Sequence, residues 1–192
     1  MVLMSEPSAL LSVFRPEVRA LSAYHVADAV GMIKLDAMEN PYQWPDAIKR
    51  EWLETLMDCD INRYPDPEAR QLAEKIREVN GIAPESAILL GNGSDEIIQI
   101  LLMALKPDAT VLSVRPSFVM YRQISLTLGL NYVDVPLSSS DFSLDLPAFL
   151  YAIAAHRPAI IFLAYPNNPT GNLFDADSIR HILKEAPGLV VI

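Results

Sequence analysis

The sequence predicts an α/β fold: a parallel or mostly parallel sheet with helices on both faces. Two observations carry this. From Ala83 onward, short apolar runs alternate with helical stretches of about 10–15 residues, the rhythm of strand–helix–strand units. Several of the runs end on polar, glycine- or proline-rich corners that lead into the next helix. Right-handed crossovers set such corners along the carboxyl edge of a sheet. A length of 192 residues with 51% hydrophobic and 20% charged residues is enough for one sizeable core and excludes a disordered chain.

Residues 1–38 show little periodicity and read as an arm. In 39–62, Pro41 and Pro45 delay a helix that then runs from Pro45 to Met57, with apolar residues at Ile48, Trp52, Leu53 and Leu56. From residue 63, Pro65 and Pro67 make a turn. A helix follows from about Glu68 to Asn80 and is ended by Gly81. "SAILLGNGSDEIIQILLMALK" reads as strand, glycine turn and helix, and "TVLSVRPSFVMYRQISLTLGL" repeats the plan. "NYVDVPL" is a strand and "LPAFLYAIAAH" a helix. "AIIFLAYPNNPTG" is a strand with its corner, "DADSIRHILKEA" a helix, and "GLVVI" a strand. An apolar strand at the last residue predicts the front part of a longer protein.

Net charge −9 and a pI of about 4.7 disfavour nucleic acid and anionic membranes as partners. No apolar stretch is long enough for a transmembrane helix. The start of the chain lacks a basic region before its apolar run, so it does not read as a signal peptide. Cys59 is the only cysteine, which excludes an intrachain disulfide and fits a reducing compartment; the expectation is a cytoplasmic protein. His25, His156 and His181 are scattered and give no metal set.

Three corners can carry chemistry. In "GNGSDE", Gly91 and Gly93 permit unusual backbone angles, and Ser94 is a candidate N-cap. This is either a capped turn or a phosphate site made by the free N–H groups of a helix start. It has neither the Lys-Ser/Thr of a P-loop nor the third glycine of a dinucleotide fingerprint. In "RPSFVMY", Phe118 and Tyr121 are either core residues or an aromatic face that orients a flat ligand. In "YPNNPTG", two asparagines between prolines form either an Asx-type turn or a grip on a ligand, since an Asn amide donates hydrogen bonds without titrating. "NRYPDP" adds Arg63 and Tyr64 before a proline turn.

Taken in order, "MENP", "RYPDP", "GNGSDE", "PSFVMY" and "YPNNPTG" resemble the fold-type I aminotransferases that use pyridoxal phosphate, and within them the branch acting on histidinol phosphate. The resemblance runs from about Leu21 to the last residue. It implies a partial fold-type I large domain over 63–192, an arm over 1–38, and a segment at 39–62 belonging to the small domain or the inter-domain boundary. It further implies that backbone groups of Ser94 and Asp95 hold the cofactor phosphate, Tyr121 stacks on its ring, and Asn168 donates to its phenolic oxygen. Tyr64 would reach the neighbouring subunit's cofactor in a homodimer, and Tyr24 and Asn40 would lie near substrate. The implied reaction moves an amino group from histidinol phosphate to 2-oxoglutarate.

The sequence departs from the family in two ways. Tyr165 replaces the first Asn of Asn-Pro-Asn-Asn-Pro-Thr-Gly. None of Lys34, Lys49, Lys75, Lys106 and Lys184 has the serine three residues before it that marks the family's cofactor-anchoring lysine. The aspartate for the ring nitrogen and the arginine for the substrate carboxylate are also missing. The chain alone is therefore expected not to catalyse transamination. The competing readings are a sister enzyme, such as an aromatic aminotransferase or a threonine-phosphate decarboxylase, and a non-catalytic module that binds a phosphorylated ligand.

Overall fold

The computed structural model describes residues 12–22, 28, 30–34 and 39–192. In chain order the elements are α1 (Pro16–Arg19), α2 (Asp46–Met57), α3 (Arg70–Asn80), α4 (Ser94–Met103), β1 (Thr110–Arg115), α5 (Val119–Leu128), β2 (Asn131–Pro136), α6 (Leu146–His156), β3 (Ile160–Phe162), α7 (Ala176–Glu185) and β4 (Leu189–Val191). They form two compact units. One joins the chain up to Ser22 with Gly91–Ile192, and the other is Ala23–Leu90. These boundaries differ from the sequence division at 38/39 and 62/63, which follows motif placement rather than compactness.

The larger unit is built on the expected parallel sheet, in the order β2-β1-β3-β4. Side chains alternate between its faces, as a pleated strand requires. Val111, Ile160 and Phe162 pack with Ile98 and Leu102 of α4 and with Tyr121 and Ile124 of α5. Leu112, Val114, Ile161 and Leu163 pack on the other face with Phe149 and Ile153 of α6 and Ile179 and Ile182 of α7. Leu112, Phe149 and Phe162 are fully buried. Each such side chain contributes about 2 kcal/mol of hydrophobic stabilisation. Burial of the central strands on both faces explains why β3 reads as an unbroken apolar run, and why the polar side chain buried in β1, Ser113, donates to the Phe162 carbonyl.

Local signals fix the helix ends. The carboxylates of Asp145 and Asp175 accept from the Ala148 N–H at 3.0 Å and the Ser178 N–H at 2.8 Å, capping α6 and α7. Gly188 sits where β4 joins β3. A Cβ there would lie 2.2 Å from the Ala159 carbonyl oxygen, the same oxygen that accepts from the Leu189 N–H. Only glycine allows that approach.

In the smaller unit, α2 follows Pro45 and α3 ends at Gly81 in the left-handed conformation, both as the sequence predicts. The Asp66 carboxylate accepts from the N–H group of Arg70 and, to a lesser extent, that of Glu68, which hold its pKa below the usual value. The helix begins at Arg70, two residues later than expected. The apolar positions Ile48, Trp52, Leu53 and Leu56 do share α2, but each is at least 41% exposed. Here periodicity predicts the helix without its burial.

One expected strand is absent. Residues 87–90 are not a strand. A strand exists only by pairing, and this segment pairs with none of the four strands of the sheet.

Candidate active site

β1 and β3 are neighbours in the sheet, so the corners that follow them are neighbours too. One side chain ties them together. Asn167 is 2% exposed. Its Oδ1 accepts from the Ser117 hydroxyl at 3.0 Å, and its Nδ2 donates to the Pro116 carbonyl at 3.0 Å and to Thr170 Oγ1 at 2.6 Å. Its backbone closes the turn, with Asn167 N–H to the Asn172 carbonyl at 2.9 Å and Gly171 N–H to the Asn167 carbonyl at 2.7 Å. The amide of Asn167 is thus spent on structure.

Asn168 is different. Its side chain is half-buried and has no hydrogen-bond partner among the described residues. A neutral amide at the carboxyl edge of a parallel sheet, with its donors open, is what a ring oxygen needs.

The start of α4 is the second element. The N-cap position falls to Gly93, with φ 84° and ψ 172°, and Ser94 is the first helical residue, with no side-chain cap bond. This corrects the reading of Ser94 as the cap: a backbone angle closed to a Cβ selects the glycine. The N–H groups of Ser94 and Asp95 have no acceptor among the described residues, and both residues are exposed. The Glu96 carboxylate turns back to accept from the Asn92 N–H. That carboxylate stays charged beside the loop, so an anion at this helix start would have to be held by the backbone N–H groups.

The third element is aromatic. Tyr121 lies in the core, its ring stacked on Phe162 at 4.6 Å with an 11° tilt. Burial raises its hydroxyl pKa. Phe118 meets Tyr121 edge-on at 5.5 Å and stands half-buried at the N-cap of α5. The resemblance expects Tyr121 to stack on the cofactor ring, but one of its faces is taken by Phe162 and little of it is exposed, so the ring nearer the surface at this corner is Phe118.

Ser94, Asp95, Tyr121 and Asn168 therefore belong to one compact unit. Tyr64 and Asn40 belong to the other. Tyr64 is fully exposed, and Asn40 Oδ1 accepts from the Tyr42 N–H at 3.0 Å. Tyr24 lies outside the described residues. Ser117 escaped the sequence reading; its only signal was a serine directly after the proline that ends a strand. Among the described residues no cluster could hold a metal ion, and no helix is long and apolar enough to cross a membrane.

Comparison with known proteins gives the class. Residues 30–192 match the family aminotransferase class I and II, and the chain belongs to it. Within that class, the chain is 55% identical over 184 residues to a histidinol-phosphate aminotransferase of Thiocapsa roseopersicina, covering 95% of this chain and 97% of that one. It is 52% identical over 179 residues to histidinol-phosphate aminotransferase 2 of Nitrosococcus oceani, covering 93% of this chain and 49% of that one. The histidinol-phosphate aminotransferase of Sinorhizobium meliloti, solved in complex with pyridoxal-5'-phosphate, matches with a TM-score of 0.72 at 21% identity. That match covers 93% of this chain and 50% of the other and shows the shared fold. Apart from the Thiocapsa protein, the chain spans about half the length of such relatives.

Proposed function

We propose that this chain supplies cofactor-binding corners of a pyridoxal-phosphate enzyme that moves an amino group from histidinol phosphate to 2-oxoglutarate, a step of histidine biosynthesis. The observation that carries the reading is the division of labour between Asn167 and Asn168. One is consumed in tying two corners together, and the other is left with an open amide.

The donor set fits the cofactor. The N–H groups of Ser94 and Asp95 suit a phosphate at a helix start. The Asn168 amide suits the phenolic oxygen, to which it donates without exchanging a proton. Phe118, backed by the buried ring of Tyr121, gives the aromatic surface at the mouth. When bound, pyridoxal phosphate supplies the electron sink for amino transfer. The residues of this chain bind and orient it.

The same reading assigns 1–38 to an arm, 39–62 to the small domain or its boundary, and 63–192 to an incomplete large domain. It places Tyr24 and Asn40 near substrate, Tyr64 against the cofactor of a second subunit in a homodimer, and the enzyme in the cytoplasm. Among the described residues, no lysine follows a strand at a strand-to-helix corner. Lys49, Lys75 and Lys184 are within helices, Lys106 precedes β1, and Lys34 precedes α2. The isolated chain is accordingly expected to show no turnover.

The test is a chimera in which this chain replaces the matching half of the Nitrosococcus relative. Amino transfer from histidinol phosphate is the expected result. Activity confined to aromatic amino acids, or decarboxylation of a phosphorylated amino acid, would overturn the substrate assignment.

A further inference from the structure

The carboxyl-edge corners leave one cavity unexplained. It lies between the C-terminal ends of α6 and α7, so the parallel topology puts it at the amino edge of the sheet, the edge opposite those corners. Its volume is about 400 Å³, within the size range of small-molecule sites. Leu150, Ile153, Ala154 and Pro187 give it an apolar lining, and Ile153 is only 4% exposed.

Three polar side chains complete the wall: Arg157, at the left-handed C-cap of α6, with His181 and Glu185 from α7. None of the three has a hydrogen bond or ion pair among the described residues. Two exposed arginines elsewhere on this unit do pair, Arg180 with Asp177 and Arg115 with Asp134, whereas Lys106, Arg122 and Lys184, like Arg157 and Glu185, have no ion pair among the described residues. A guanidinium and a carboxylate, both exposed and neither engaged in an ion pair among the described residues, thus line one cavity of mixed polar and apolar wall.

Their combination selects among ligands. A simple carboxylate would meet Arg157 but be repelled by Glu185. A simple amine would meet Glu185 but be repelled by Arg157. A zwitterion satisfies both, and the apolar lining rewards an apolar side chain. We propose that this cavity binds a free apolar α-amino acid, its carboxylate toward Arg157, its ammonium toward Glu185 and its side chain on Leu150 and Ile153. The proposal is independent of the cofactor reading.

The test is an NMR titration of this chain with leucine, 3-methylbutylamine and 4-methylpentanoate, which share the isobutyl group and differ in charge. Leucine should give saturable shifts centred on Ile153, Ala154 and Glu185. Each half-ligand should bind about tenfold more weakly, the scale of one lost charge-assisted contact. Glu185→Gln should weaken leucine and strengthen 4-methylpentanoate, and Arg157→Gln should do the reverse for the amine. The three-ligand comparison on the unsubstituted chain stands even if a variant misfolds. No saturable leucine shift, or a half-ligand binding as tightly as leucine, would overturn the proposal.

Discussion

The Ser117 hydroxyl donates to Asn167 Oδ1 at 3.0 Å, joining residues 50 positions apart in sequence. With the bond from Asn167 Nδ2 to the Pro116 carbonyl, it locks the corner after β1 to the corner after β3. Whatever occupies this edge of the sheet meets two loops held as one body.

That relationship predicts a stability effect. Asn167→Ala takes their Asn167 partner from the Pro116 carbonyl and the Ser117 hydroxyl in a part-buried setting, while the Thr170 hydroxyl keeps its bond to Asn172 Oδ1. Removing one side of such a network costs about 2–4 kcal/mol. Asn168→Ala removes no bond and should stay within about 0.5 kcal/mol. Urea unfolding of the two variants of this chain measures both. Equal losses would show that Asn167 is not the structural partner of the pair.

Gly188→Ala should also destabilise the chain, by about 3 kcal/mol, because the new methyl would press on a backbone carbonyl that cannot swing away. The damage should centre on the pairing of β3 with β4, where Ala159 accepts from Leu189. Hydrogen exchange should show the Leu189 amide opening first. An unchanged unfolding midpoint would mean that the Gly188 turn shifts freely.

Asp175 gives a pH signature. Hydrogen bonds from the Ser178 N–H and hydroxyl favour its charged form and lower its folded pKa below 3.8. A depressed carboxylate pKa contributes stability that is present above the unfolded value, near 3.9, and lost as pH falls through the folded value. Asn at this position caps without titrating. Asp175→Asn should therefore lose less stability than the unsubstituted chain as pH drops below about 4. Parallel acid unfolding curves would count against the cap.

Much of this was legible in the sequence, for local reasons. The alternation from Ala83 predicts the parallel sheet because strands buried on both faces need apolar runs, and Gly81 marks the end of α3 by its own chemistry. The failures are non-local. Residues 87–90 carry strand-forming side chains, but pairing depends on a neighbour that sequence pattern does not specify. The apolar stripe of α2 predicts the helix and says nothing of what covers it. At the site, "NNP" identifies the corner, yet the roles of the two asparagines separate only when Ser117 and Pro116 arrive from another strand. Tyr121 and Phe118 divide in the same way, since the stacking partner Phe162 comes from β3.

The most direct test of the central claim is the affinity of the chimera for pyridoxal phosphate with and without the Asn168 side chain. If the open amide of Asn168 grips the ring oxygen, Asn168→Ala should weaken cofactor binding by about 10- to 100-fold, the scale of a hydrogen bond to a charged group, with folding stability unchanged. An unchanged dissociation constant would contradict the account.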